Sequence, residues 1–208
     1  DDKSRYTDWS ARDDIKANLQ VDLILLLDEF GYPPVTIDDV YKEVLEQAEN
    51  FKKAIEINPD KAEYYIDYGI ALISMGEYDS AREQFLSVIR DTDNKIVREN
   101  NKKAYRGIAL SYYAEGTYDQ AKAYLELALK NKELSSLNRD LNAYLAECEM
   151  YLGDYEKSLK TWNALIDDLG GKKKKSYGAY YLGRAKLQAV MGNADKATED
   201  YHMCVSLD

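Results

Sequence analysis

The sequence predicts an all-α protein, a solenoid of helical hairpins preceded by a short helical segment. Three observations carry this reading. The 208 residues include only three prolines and are rich in Ala, Leu, Lys and Glu, all good helix formers. A glycine-containing octapeptide recurs four times. Before its first copy, apolar residues fall at the three- and four-residue spacing of a helix.

The octapeptides are SMGEYDSA, AEGTYDQA, YLGDYEKS and VMGNADKA, carrying Gly76, Gly116, Gly153 and Gly192 at intervals of 40, 37 and 39 residues. Self-similarity at such a period marks stacked repeats. Each glycine is expected to turn a hairpin in the left-handed backbone region, which a side chain disfavours. Five residues after each glycine stand Ala81, Ala121, Ser158 and Ala197, and seven before it stand Gly69, Ala109, Ala146 and Ala185. These small residues let the two helices of a hairpin approach closely. Nine residues after each glycine, Phe85, Leu125, Trp162 and Tyr201 are expected to fill the space between hairpins, followed by Val88, Ala128, Leu165 and Cys204. Tyr78, Tyr118 and Tyr155, two after their glycines, read as packing residues, so most of the aromatic excess is expected in the core.

These residues resemble the tetratricopeptide repeat, a helix-turn-helix unit of about 34 residues. The best single match is AEYYIDYGIALISMGEYDSAREQF, with Tyr65, Tyr68, Gly69, Tyr78, Ala81 and Phe85 on signature positions; KAIEINPD, with Pro59, resembles the end of a preceding repeat. The resemblance implies a right-handed solenoid over 53–208: a final half repeat at 53–60, then repeats near 62–95, 102–135, 139–172 and 178–208. The excess length is expected in inter-repeat segments such as RDTDNKIVRENN and DDLGGKKKKS. In the latter, Gly170 and Gly171 read as a helix stop and Ser176 as the next cap. The chain ends at CVSLD without a polar capping helix, so an exposed apolar face and self-association through the last repeat are expected.

Residues 1–52 follow another pattern. Ser10 can cap a helix with Asp13 and Asp14 in its first turn and with Ile15, Leu19, Leu23, Leu26, Leu27 and Phe30 on one face. Gly31 ends it, and Thr36 opens a second helix. The stretches YTDWSARDDIKANLQVDLILLLDEFGYPP and VYKEVLEQAENFKK resemble the C-terminal helical region of the type I restriction enzyme R subunit. That resemblance implies a docking role and carries over no nuclease or motor activity. Val44, Ala48, Phe51 and Ile55 form one stripe through the join, so the two patterns share a continuous helix. This reads as an engineered shared-helix fusion; natural recombination that preserved helical phase is the alternative. A start without Met reads as a processed or excised fragment.

Composition narrows the function. A formal charge of −10 argues against nucleic acid as a partner. The longest apolar run, Leu23 to Leu27, is too short to span a bilayer. No cofactor or metal is expected: the single histidine, His202, has no metal-site neighbours, Cys148 and Cys204 read as small buried hydrophobes, and GGKKKKSYG lacks phosphate-loop spacing. No set of nucleophile, base and orienting group can be assembled, so a non-enzymatic scaffold is expected.

The repeat resemblance also implies a concave groove lined by the first helix of each hairpin. Carried onto this chain, its candidate peptide-binding residues are Ile66, Ile70 and Ile73; Lys103, Arg106, Leu110 and Tyr113; Tyr144, Glu147, Met150 and Tyr151; and Lys186. Gly107 and Gly183 fall on the same carried-over wall. Ile66 and Ile70 stand where a carboxylate clamp needs Lys and Asn, so the expected ligand is a peptide or helix anchored by apolar contacts. The alternatives are a fusion without a physiological role of its own and an accessory segment of a restriction system.

Overall fold

A computed structural model describes residues 37–172 and 174–207. The helix expected between Ser10 and Gly31, and Thr36 itself, lie outside the described residues. The chain divides between Asn50 and Phe51 into two units.

Among the described residues every regular element is helical. Helix α1 (Ile37–Ile57) is continuous through the join. Along its stripe Ala48 is buried and Val44, Phe51 and Ile55 are half-buried. No described helix is long and apolar enough to cross a membrane.

From α2 onward the helices come in pairs: α2 (Ala62–Ser74) with α3 (Tyr78–Val88), α4 (Lys95–Glu115) with α5 (Tyr118–Lys130), α6 (Asn138–Tyr151) with α7 (Tyr155–Asp167), and α8 (Gly178–Val190) with α9 (Ala194–Ser206). Each pair turns at the predicted glycine. Gly76, Gly116, Gly153 and Gly192 have φ of 79, 83, 81 and 78°, the left-handed region that costs a side-chain-bearing residue about 1–2 kcal/mol. From α2 to α9 each helix packs on the next, and two pairs of first helices also touch: α2 meets α4, and α6 meets α8.

The core is accordingly a series of layers, each drawn from three consecutive helices. Ile66, Leu72, Ala81, Phe85, Val88, Ala104 and Ile108 join α2, α3 and α4. Ala109, Ala121, Leu125, Ala128, Leu141 and Cys148 join α4, α5 and α6. Ala146, Met150, Trp162, Leu165 and Leu187 join α6, α7 and α8. Ala81, Ala121 and Ser158 are 0% exposed, so the close-approach positions read from the sequence are where the helices meet. Ser158 replaces the alanine of its sister repeats, and its hydroxyl donates to the Ala146 carbonyl at 2.7 Å, satisfying a group that would otherwise be buried unpaired. The pattern lapses only in the last hairpin, where Tyr201 is 54% exposed.

The connections differ from expectation. KIVRENN is not a loop but the first two turns of α4. Asn94 caps it, its side-chain oxygen accepting from the backbone N–H of Ile96 at 2.9 Å and of Val97 at 3.3 Å. The extra turns reach both flanking connections. Asn101 brackets Arg90, accepting from its N–H at 3.0 Å and donating to its carbonyl at 2.6 Å. Lys102, 0% exposed, donates to the Asn131 and Glu133 carbonyls and to the Asn138 side-chain oxygen at 2.9, 2.7 and 2.7 Å. After α7, Gly170 and Gly171 take φ of 58 and 71°, consistent with a helix stop. Ser176 does not cap α8: it lies inside a 3-10 turn (Lys175–Tyr177) that leads into that helix.

Candidate functional site: a tyrosine-lined wall

The expected wall residues fall into three groups. Ile66 and Met150, at 6% and 8% exposure, are core residues that support the wall from behind and offer it no surface. Ile70, Tyr151 and Lys186 are exposed, while Ile73, Lys103 and Leu110 are half-buried. Arg106, Tyr113, Tyr144 and Glu147 are half-buried and linked to one another or to their neighbours across α4 and α6.

Those links are specific. The Arg106 guanidinium donates to Asp140 at 2.6 Å, and the Tyr113 hydroxyl donates to Glu147 at 2.6 Å. The Tyr113 ring meets Tyr144 edge-on at 5.1 Å and Tyr118 at 5.6 Å. Tyr118 in turn stacks on Tyr151, centroids 4.3 Å apart and planes 12° from parallel. Helical spacing produces the arrangement: Tyr144, Glu147 and Tyr151 lie three and four residues apart, hence on one face of α6. Burial and the Glu147 carboxylate push the Tyr113 phenol well above the usual tyrosine range, so it stays a neutral donor. Burial likewise raises Tyr144, with Asp140 and Glu147 adding to the effect and Arg106 opposing it.

Beyond this cluster the wall opens into a pocket of about 300 Å³ between α6 and α8, lined by Asp140, Ala143, Tyr144, Glu147, Trp162, Ser176, Ala179 and Tyr180. Trp162 is 2% exposed, and its indole Nε1 is the one buried side-chain polar atom without a partner among the described residues.

The aromatic assignment holds in part. Among the residues whose burial is described, the buried aromatics are Phe85 and Trp162; the tyrosines are half-buried or exposed, and Tyr155 is 38% exposed. Many of the half-buried tyrosines, among them Tyr65, Tyr68, Tyr112, Tyr118 and Tyr124, pack against the core layers while keeping part of their surface exposed. Tyr118 packs on the core as its repeat position implies, and its ring also completes the aromatic patch. Tyr180 was missed because it falls one residue beyond Ala179, a wall position. Gly107 and Gly183 are not wall residues but buried contact points. A Cβ at Gly107 would lie 2.4 Å from Phe85, and one at Gly183 would lie 2.4 Å from Trp162.

Of the other singled-out groups, Cys148 is buried, and its thiol is pushed up to about 12 by burial. Cys204 is half-buried, with its Sγ placed 3.4 Å from where a Cβ on Gly178 would stand. His202 is exposed.

Paired helices turning on a left-handed glycine, with small residues at the contacts and a layered core, define a solenoid of tetratricopeptide repeats. The chain thus carries tetratricopeptide repeats, and its N-terminal segment is restriction-enzyme-like in sequence. Residues 50–83 and 103–133 each match the tetratricopeptide-repeat family. Residues 1–54 match the family described as type I restriction enzyme HindI endonuclease subunit-like, C-terminal. No curated protein sequence matches the chain. Among solved structures, MamA superposes with a TM-score of 0.58 at 17% identity, over 77% of this chain and 85% of that one. PilF of Pseudomonas aeruginosa gives 0.56 at 20% identity, over 73% and 63%. BtubC (BKLC) from P. vanneervenii gives 0.60 at 17% identity, over 80% and 71%. At these identities the likeness is one of fold.

Proposed function

We propose that the chain is a protein-interaction scaffold, without catalytic activity, whose wall formed by α2, α4, α6 and α8 holds a peptide or helix of a partner protein. The observation that carries this reading is the tyrosine patch of Tyr113, Tyr118, Tyr144 and Tyr151. Aromatic residues with a polar tip suit interfaces, because one side chain supplies both apolar area and a hydrogen bond. Ile70, 46% exposed, adds an apolar anchor on the α2 part of the wall. Lys103, Leu110 and Lys186 complete the contact set. On α9, the exposed Tyr201, Met203 and Val205 support self-association through that end at high concentration.

A second reading is favoured by the family matches, which overlap at residues 50–54 inside α1. Here the N-terminal segment, with its boundary at residue 52, docks the chain onto a restriction complex, or the two parts were joined through a shared helix by design. Capture of partners by the immobilised full chain separates the readings. A partner lost from an Ile70→Ser/Tyr151→Ser variant and retained after removal of residues 1–52 supports the wall. A partner that needs residues 1–52 and ignores the double variant moves the function to the N-terminal segment.

A further inference from the structure

We propose that the pocket between α6 and α8 receives an arginine or lysine side chain of the bound partner. This rests on the scaffold reading and names the chemistry of what the wall recognises. The pocket presents two carboxylates, Asp140 and Glu147, beside two tyrosine rings, Tyr144 and Tyr180, and no lysine or arginine lines it. The two carboxylates are not equivalent. Asp140 is already matched by Arg106 at 2.6 Å, whereas Glu147 is met by the Tyr113 phenol alone and has no ion-pair partner among the described residues. A half-buried carboxylate facing aromatic surface is a poor resting place for an uncompensated charge and a good one for a paired charge. A cation placed there gains the carboxylate and the electron-rich faces of the rings together.

The size and the charge agree. About 300 Å³ lies at the small end of ligand pockets and suits one side chain rather than a folded element. The formal charge of −10 further favours approach of a basic segment.

The test is selection of a random linear peptide library displayed on phage against three immobilised full-length chains: wild type, Glu147→Gln and Glu126→Gln. Glutamine keeps an acceptor for the Tyr113 hydroxyl and removes only the charge. Glu126 is an exposed carboxylate on α5 and controls for general attraction to an acidic protein. The expected result is enrichment of Arg or Lys at one position of the selected peptides with wild type and Glu126→Gln. With Glu147→Gln the enrichment should disappear, and a selected peptide should bind roughly tenfold more weakly. Peptides selected without a preferred basic residue would overturn the pocket and leave the scaffold reading standing. Basic enrichment that survives Glu147→Gln, or that falls equally with Glu126→Gln, would also overturn it. No selected peptide at all would overturn both.

Discussion

Gly107→Ala is the substitution that most sharply tests how the repeats are held in register. On an exposed helix this change would stabilise by up to about 1 kcal/mol, since alanine is the better helix former. Here the new Cβ would stand 2.4 Å from Cε1 and Cζ of Phe85. The ring has no room to retreat, because a Cβ on Gly69, on α2, would stand 2.6 Å from the same Cζ. Phe85 is thus held between two glycines of successive hairpins. Relief requires moving α4 or forcing the ring off its rotamer, an overpacking cost of about 1–3 kcal/mol. Near the upper end, a net loss of about 2 kcal/mol remains, or about 4–8 °C in melting temperature at this chain length. The assay is urea unfolding followed by circular dichroism, in a cycle with Phe85→Leu. In the Phe85→Leu background the alanine should cost nothing or stabilise, because the clashing ring atoms are gone. If Gly107→Ala stabilises the wild type, or costs the same in both backgrounds, the ring-between-glycines account is wrong.

Four further outcomes are expected. Lys102→Met should cost about 1–3 kcal/mol in urea unfolding, because it leaves three neutral oxygens without the ammonium that donates to them. Asn94→Ala should cost about 1 kcal/mol by leaving the first N–H groups of α4 uncapped, measured the same way. Cys148 should resist Ellman's reagent in the native protein and react once it is unfolded. Its neutral thiol also makes stability fall as pH rises above the ordinary 9.0, since the unfolded chain ionises there while the native one holds its proton up to about 12. A pH series of unfolding free energies should therefore show a decline in wild type that is shallower in Cys148→Ala.

The repeat was legible because its determinants are local and recur. Four glycines at one kind of turn, each with a small residue five positions on, announce close-packed hairpins without reference to distant residues. What escaped depends on partners far along the chain. Lys102 sits in the polar run RENNKK and reads as surface; it is buried because the connection around Asn131 and Glu133 closes over its ammonium. The first turns of α4 lack an apolar stripe, so they read as a linker, although Asn94 already carried the capping signal. At the wall, spacing along α6 put Tyr144, Glu147 and Tyr151 on one face. That Tyr118 stacks on Tyr151 follows only from how α5 lies against α6. Ile66 and Met150 were assigned to the wall by position in the repeat, but their depth is set by the layers that enclose them, which one helix does not reveal.

The most direct test of the scaffold account is site-specific photocrosslinking in the full chain, with a benzophenone amino acid placed at Ile70, Tyr151 or Leu127 in separate preparations. All three positions are exposed, at 46%, 53% and 39%, so accessibility alone does not separate them. Ile70 and Tyr151 lie on first helices of hairpins and Leu127 on a second helix. The account predicts that one and the same partner is captured from positions 70 and 151 and not from 127. Capture from 127 with none from 70 or 151 would place the interface on the opposite helices and contradict it.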